Sequence, residues 1–122
     1  MNELDKISIA MEADAGTFSP LGLTYSGTNP TAQCIINEVL KWLKSINASK
    51  LILADEGSDI RVMSVKGVPI STLFNENERY FDSHHTNGDT MTIIDSHVMD
   101  LCTAVWAVTS YAFASIDIML PR

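Results

Sequence analysis

The chain has 122 residues, 46% hydrophobic and 19% charged, which suits one domain or a piece of one and excludes a disordered segment. Its net charge of −7, with no basic run, argues against binding a phosphate backbone, so no nucleic-acid partner is expected. The start Met1-Asn2-Glu3-Leu4-Asp5 is acidic and has no signal-peptide pattern, and no apolar stretch reads as approaching the roughly 20 residues of a membrane span.

Residues 7–11 read as a short strand, with Ile7, Ile9 and Met11 alternating against Ser8 and Ala10, and Glu12-Ala13-Asp14-Ala15-Gly16-Thr17 as the loop leaving its C-terminal end. Residues 21–25 form a second strand between turn residues. A helix follows: Thr28 and Asn29 are capping types, Pro30 suits the first helical position, and Ala32, Ile35, Ile36, Val39, Leu40 and Leu43 share one face. Leu51-Ile52-Leu53 is a continuous apolar run, expected of a strand covered on both faces. Gly57-Ser58-Asp59 offers a cap to a short helix over 60–65 that Gly67 stops, and residues 68–74 read as a fourth strand. A long polar loop spans 75–88. Asp95 or Ser96 then caps a last helix carrying Val98, Leu101, Cys102, Val105, Val108, Tyr111 and Ala112 on its apolar face.

Strands alternating with helices predict an α/β fold: a mostly parallel sheet with helices on both faces. Four strands are few for such a sheet, so the segment reads as the later part of a larger one. Cys34 and Cys102 lie in apolar helical patterns and are expected as buried free thiols, since two cysteines are too few for a disulfide scaffold. Asn47-Ala48-Ser49 is an N-glycosylation triplet placed just past a helix end.

In open α/β sheets ligands gather beyond the C-terminal ends of strands. Two loops fall at such ends. One holds Asp14; the other, Tyr80-Phe81-Asp82-Ser83-His84-His85-Thr86-Asn87-Gly88-Asp89-Thr90, holds a histidine pair. Imidazole and carboxylate suit zinc or acid–base chemistry. By spacing alone the same residues also fit a solvated loop with turn residues and an ordinary strand-end carboxylate.

Five strings in order decide between these: Met11-Glu12-Ala13-Asp14-Ala15-Gly16-Thr17-Phe18, Gly57-Ser58-Asp59-Ile60, Gly67-Val68-Pro69, His84-His85-Thr86-Asn87-Gly88-Asp89-Thr90-Met91-Thr92 and Val105-Trp106-Ala107-Val108. Together they resemble the dinuclear zinc exopeptidases over essentially the whole chain. The resemblance implies a three-layer α/β/α zinc-peptidase fold, incomplete here, with residues 1–122 forming the C-terminal portion of one catalytic domain. It implies two zinc ions bridged by a hydroxide, with Asp14 a ligand of one and His85, rather than His84, a ligand of the other. Asp89 would orient the loop or the imidazole, and Ser58 and Asp59 would border the substrate cleft. The family's His-X-Asp pair, bridging Asp and Glu-Glu pair have no match here, so no catalytic residue is expected in this chain and the general base is expected upstream. Two local departures, Asp82-Ser83 before the His pair and Ile70 and Thr72 after Gly67-Val68-Pro69, bear on the substrate pocket.

The implied enzyme is a carboxypeptidase or dipeptidase acting on small peptides, secreted or lysosomal, glycosylated at Asn47 and homodimeric when complete. The isolated chain is expected to be inactive. The alternative is a truncated, catalytically inactive derivative acting as a binding or dimerisation module.

Overall fold

The computed structural model describes residues 3–16 and 18–122. After a 3-10 turn at Glu3–Lys6, four strands and three α-helices follow: β1 (Ala10–Glu12), β2 (Pro20–Tyr25), α1 (Pro30–Leu40), β3 (Lys50–Leu53), α2 (Arg61–Val65), β4 (Ile70–Asn75) and α3 (Ser96–Ser115). The strands form one sheet in the order β1-β4-β2-β3. β1 runs parallel to β4 and β2 parallel to β3, while β2 and β4 are antiparallel. The expected α/β sheet flanked by helices is therefore present, and two of its three pairings are parallel.

α1 starts where the sequence places it. Pro30 occupies the first turn and the Asn29 side chain accepts from Thr31 N–H at 2.9 Å, filling an otherwise orphaned donor. Its buried stripe is Ala32, Ile36, Val39 and Leu40. The helix then tightens into a 3-10 stretch at Lys41–Ile46, which ends on Asn47 at φ 59°, a left-handed conformation that asparagine tolerates. Asp95 caps α3 by accepting from Val98 N–H at 3.0 Å, and α3 buries Cys102, Val105, Thr109, Ala112 and Phe113. Of these, Cys102, Val105, Ala112 and Phe113 join Leu23 and Tyr25 of β2 and the α1 stripe in one core, so α1 and α3 cover the sheet together.

Glycine is required at Gly22. Its φ is +150°, and a side chain there would overlap the Lys50 carbonyl of β3. Beyond the Leu23–Leu73 pair, side chains stitch β2 to β4: the Thr24 and Thr72 hydroxyls lie 2.7 Å apart, and Thr72 N–H donates to Thr24 Oγ1 at 3.0 Å. Both threonines are buried, so these bonds satisfy polar groups that water does not reach.

Four expectations are corrected. β3 is an edge strand, with Ile52 40% and Leu53 59% exposed, because among the described residues β2 is its one strand neighbour; its apolar run does not mean burial on both faces. Cys34 is exposed, since it sits off the α1 stripe; only Cys102 is buried, its Sγ donating to Phe18 O at 3.2 Å, and burial pushes its thiol pKa up. α2 starts without a side-chain cap from Ser58 or Asp59. The N–H groups of Asp59 and Ile60 are instead bound by Glu12. Finally, α3 is long and apolar enough, by length and composition, to cross a bilayer, although here it packs one face on the sheet.

Candidate metal and substrate site

Because β1 and β4 are parallel neighbours, the loops that follow them leave the same end of the sheet. The β1 loop carries Asp14, which is exposed. Its turn is closed by Gly16 N–H donating to Asp14 O at 2.8 Å, with Gly16 at φ +77°, where a side chain would be strained. Asn75, the last residue of β4 and 2% exposed, donates from Nδ2 to Gly16 O at 2.9 Å. Glu76 N–H adds a bond to Ser19 O at 2.9 Å. The two loops are thus fastened together at their bases.

A third segment joins them. The Glu12 carboxylate, at the C-terminal end of β1, accepts from Asp59 N–H at 3.0 Å, Ile60 N–H at 3.1 Å and Ser58 Oγ at 3.4 Å. A charged acceptor with two backbone donors makes a strong local tie. It brings Ser58 and Asp59, both exposed, beside the strand that leads into Asp14.

The histidine loop is built from short turns. After a 3-10 turn at Tyr80–Asp82, the Thr86 hydroxyl donates to Ser83 O at 2.7 Å and accepts from Gly88 N–H at 3.1 Å, and Asp89 N–H reaches Thr86 O at 3.1 Å. His85 is exposed and left-handed at φ 56°; among the described non-glycine residues only Asn47 shares that conformation. Such backbone costs about 1 kcal/mol or more and tends to be kept where a side chain must be aimed. The His85 ring stacks on His84 at 3.9 Å between centroids.

Asp14 and His85 match zinc in donor type, one carboxylate oxygen and one imidazole nitrogen. They do not match it in number. Among the described residues no group of three or more His, Cys, Asp or Glu side chains could hold an ion. The described residues therefore make no closed metal site. Asn47 lies elsewhere, exposed at the turn before β3, with Ala48 buried beside it.

Sequence reasoning passed over Glu12, Asn75 and Tyr80. Glu12 gave a usable signal, an acid ending a strand two residues before Asp14. Asn75 gave none, because its partner Gly16 is distant in sequence; Tyr80 stacks on His84 only four residues on, but nothing local signals that its ring also lies near Gly16.

No family model matches the chain. Carboxypeptidase Q of Xenopus laevis is 44% identical over 119 residues, covering 98% of this chain and 25% of that protein. The Mus musculus and Homo sapiens proteins of the same name are 43% and 41% identical over the same extents. This chain is a homologue of carboxypeptidase Q. A peptidase M28 precursor from Shewanella amazonensis agrees in fold, with a TM-score of 0.88, 27% identity and coverage of 98% of this chain and 27% of its own. The sequence resemblance to an exopeptidase family and the α/β fold are both borne out. The chain spans about a quarter of the length of the carboxypeptidase Q sequences it matches.

Proposed function

We propose that this chain forms one wall of the catalytic cleft of a zinc exopeptidase, a carboxypeptidase or dipeptidase acting on small peptides, as the C-terminal portion of a single catalytic domain. Asp14 would supply a ligand to one zinc ion and His85 to the other. The observation that carries the reading is that two loops leave the same end of neighbouring parallel strands, tied at their bases, each presenting an exposed donor of the kind zinc takes. Ser58 and Asp59, held beside the Asp14 strand by Glu12, would border the substrate cleft. His84 and Asp89 would shape the His85 loop. The remaining zinc donors, the bridging carboxylate and the general base come from outside this chain, which is inactive alone.

Zinc content provides the test. In a longer protein that includes this chain, Asp14→Ala and His85→Ala each lower the bound zinc; unchanged stoichiometry in both would overturn the reading. The isolated chain shows no dipeptide hydrolysis at any zinc concentration, and measurable turnover would defeat the claim of missing donors. The exposed Asn47 of the Asn47-Ala48-Ser49 triplet supports glycosylation and a secretory or lysosomal route for the whole protein. A mass increase removed by an amidase specific for N-glycans tests it.

A second reading, a non-catalytic binding or dimerisation module, is favoured by the apolar edge strand β3. Both readings allow self-association of the isolated chain. Enzymatic activity of a longer protein that contains it separates them. A homodimer is expected for that complete enzyme.

A further inference from the structure

Asp14 and His85 lie on different loops, and among the described residues neither side chain makes a hydrogen bond. What fixes their relation must therefore act through the backbones and neighbouring rings. One ring lies close to both loops. Tyr80 stacks on His84 at 4.4 Å between centroids and 30° between planes. His84 stacks in turn on His85 at 3.9 Å and 22°. Phe81 flanks the pile edge-on, 5.0 Å from Tyr80 and 5.7 Å from His84. On the opposite loop, a side-chain carbon built at Gly16 would stand 3.6 Å from Tyr80 Cδ2, so the tyrosine ring lies one carbon's reach from the turn that presents Asp14.

The backbone of Tyr80 acts in the same direction. Its N–H donates to Asn77 O at 3.1 Å, and its carbonyl accepts from His84 N–H at 3.2 Å. Ring and peptide thus hold the same residue, His84, from two sides. Burial falls along the pile: Tyr80 and His84 are half-buried, whereas His85 is exposed. The stack is rooted in the fold and carries the outermost imidazole by its face. Stacked rings prefer such face-offset arrangements, which restrict ring rotation without using either imidazole nitrogen.

We propose that Tyr80 is a positioning residue that sets the spacing between the Asp14 and His85 loops, through its close approach to Gly16 on one side and its stack on His84 on the other. The role rests on the two-loop reading given above, but the contacts belong to this chain without any metal and can be measured there.

The experiment is NMR on the 122-residue chain. In the unsubstituted protein, Tyr80 ring protons show Overhauser contacts to Gly16 Hα and to the His84 ring, and the His84 ring protons are shifted upfield by the faces on either side. Absence of the Gly16 contact would overturn the proposal without any variant. Tyr80→Phe keeps the ring and preserves these signals. Tyr80→Leu removes the upfield shift of His84 and, in the same protein, displaces the amide resonances of residues 14–16, with the far-ultraviolet spectrum unchanged. Tyr111→Leu, on exposed α3 surface, moves neither set. If Tyr80→Leu moves the histidine signals and leaves residues 14–16 in place, the ring does not bridge the loops and the proposal fails. These outcomes are independent of zinc content: a longer protein whose zinc survives Asp14→Ala would refute the metal reading and leave the Tyr80 result standing.

Discussion

Thr24 and Glu12 each tie a strand to a segment far along the chain, in opposite surroundings. Thr24 is 1% exposed and meets Thr72 between two central strands, within reach of the apolar core. Glu12 is half-buried at the rim and gathers the N–H groups of Asp59 and Ile60, which lead away into solvent. Removing the first tie would leave a buried polar group unpaired; removing the second would free a loop that water can solvate at once. The centre of this sheet is held by burial, and its loop-bearing end by a few directed contacts. Substitutions at the centre should therefore cost stability, and those at the rim should cost order in the site.

The largest break in that contrast is expected from Leu23→Ala. Leu23 is fully buried in the shared core, and the cavity left behind should destabilise the chain by about 2–5 kcal/mol in a denaturant titration. A loss under about 1 kcal/mol would mean that the centre is no better packed than the rim. Alkaline pH is a milder attack on the same region. Burial raises the pKa of both Cys102 and Tyr25 above their ordinary values, so the folded state holds these protons more tightly than the unfolded one. The stabilising contribution is complete below the unfolded pKa values and is lost as pH rises through the folded ones. Melting temperature should fall across the thiol and then the phenol range, and a thiol reagent should label Cys34 well before Cys102.

At the rim, Glu12→Gln exchanges charge-assisted bonds for neutral ones and should cost about 1 kcal/mol or less globally. Hydrogen exchange at the Asp59 and Ile60 amides should nonetheless accelerate; equal acceleration throughout the sheet would erase the distinction between the regions. The smallest effects belong to the proposed ligands. Asp14→Ala should stay within about 0.5 kcal/mol of the parent chain, as expected of an exposed side chain. His85→Gly should be neutral or stabilising by under about 1 kcal/mol, because glycine accepts φ 56° without penalty. A clear loss of stability at either position would indicate a structural role that the geometry does not suggest.

Much of the fold was legible because it rests on short-range rules. Pro30 and Asn29 opened α1, Asp95 capped α3, and Gly67, at φ +81°, followed α2. Errors came where tertiary context overrides pattern. The Leu51-Ile52-Leu53 run looked doubly covered because apolar composition does not report which strands lie alongside, and β3 turned out to be an edge. The Ser58 and Asp59 cap looked sound locally and was displaced by a carboxylate from 47 residues earlier. The site divides in the same way. Asp14 and His85 are proposed from their motif contexts, whereas the Asn75 tie to Gly16 and the approach of Tyr80 to the same glycine depend on partners that no local pattern encodes.

The strand order has a consequence for how the molecule assembles. β4 lies between β1 and β2, so among the described strands β1 has no partner until the chain has been made past Asn75 and β4 has docked. The Asn75 bond to Gly16 closes across 59 residues, and the loop-closure entropy for that contact must be met before any of its energy is returned. β2 and β3, with α1 between them in sequence, can form earlier as a local unit. The Asp14 loop is then the last part of the sheet to take shape, and it does so only when the strand leading to His85 arrives. Folding should consequently be slow for a chain of this length, with protection at β2 preceding protection at β1.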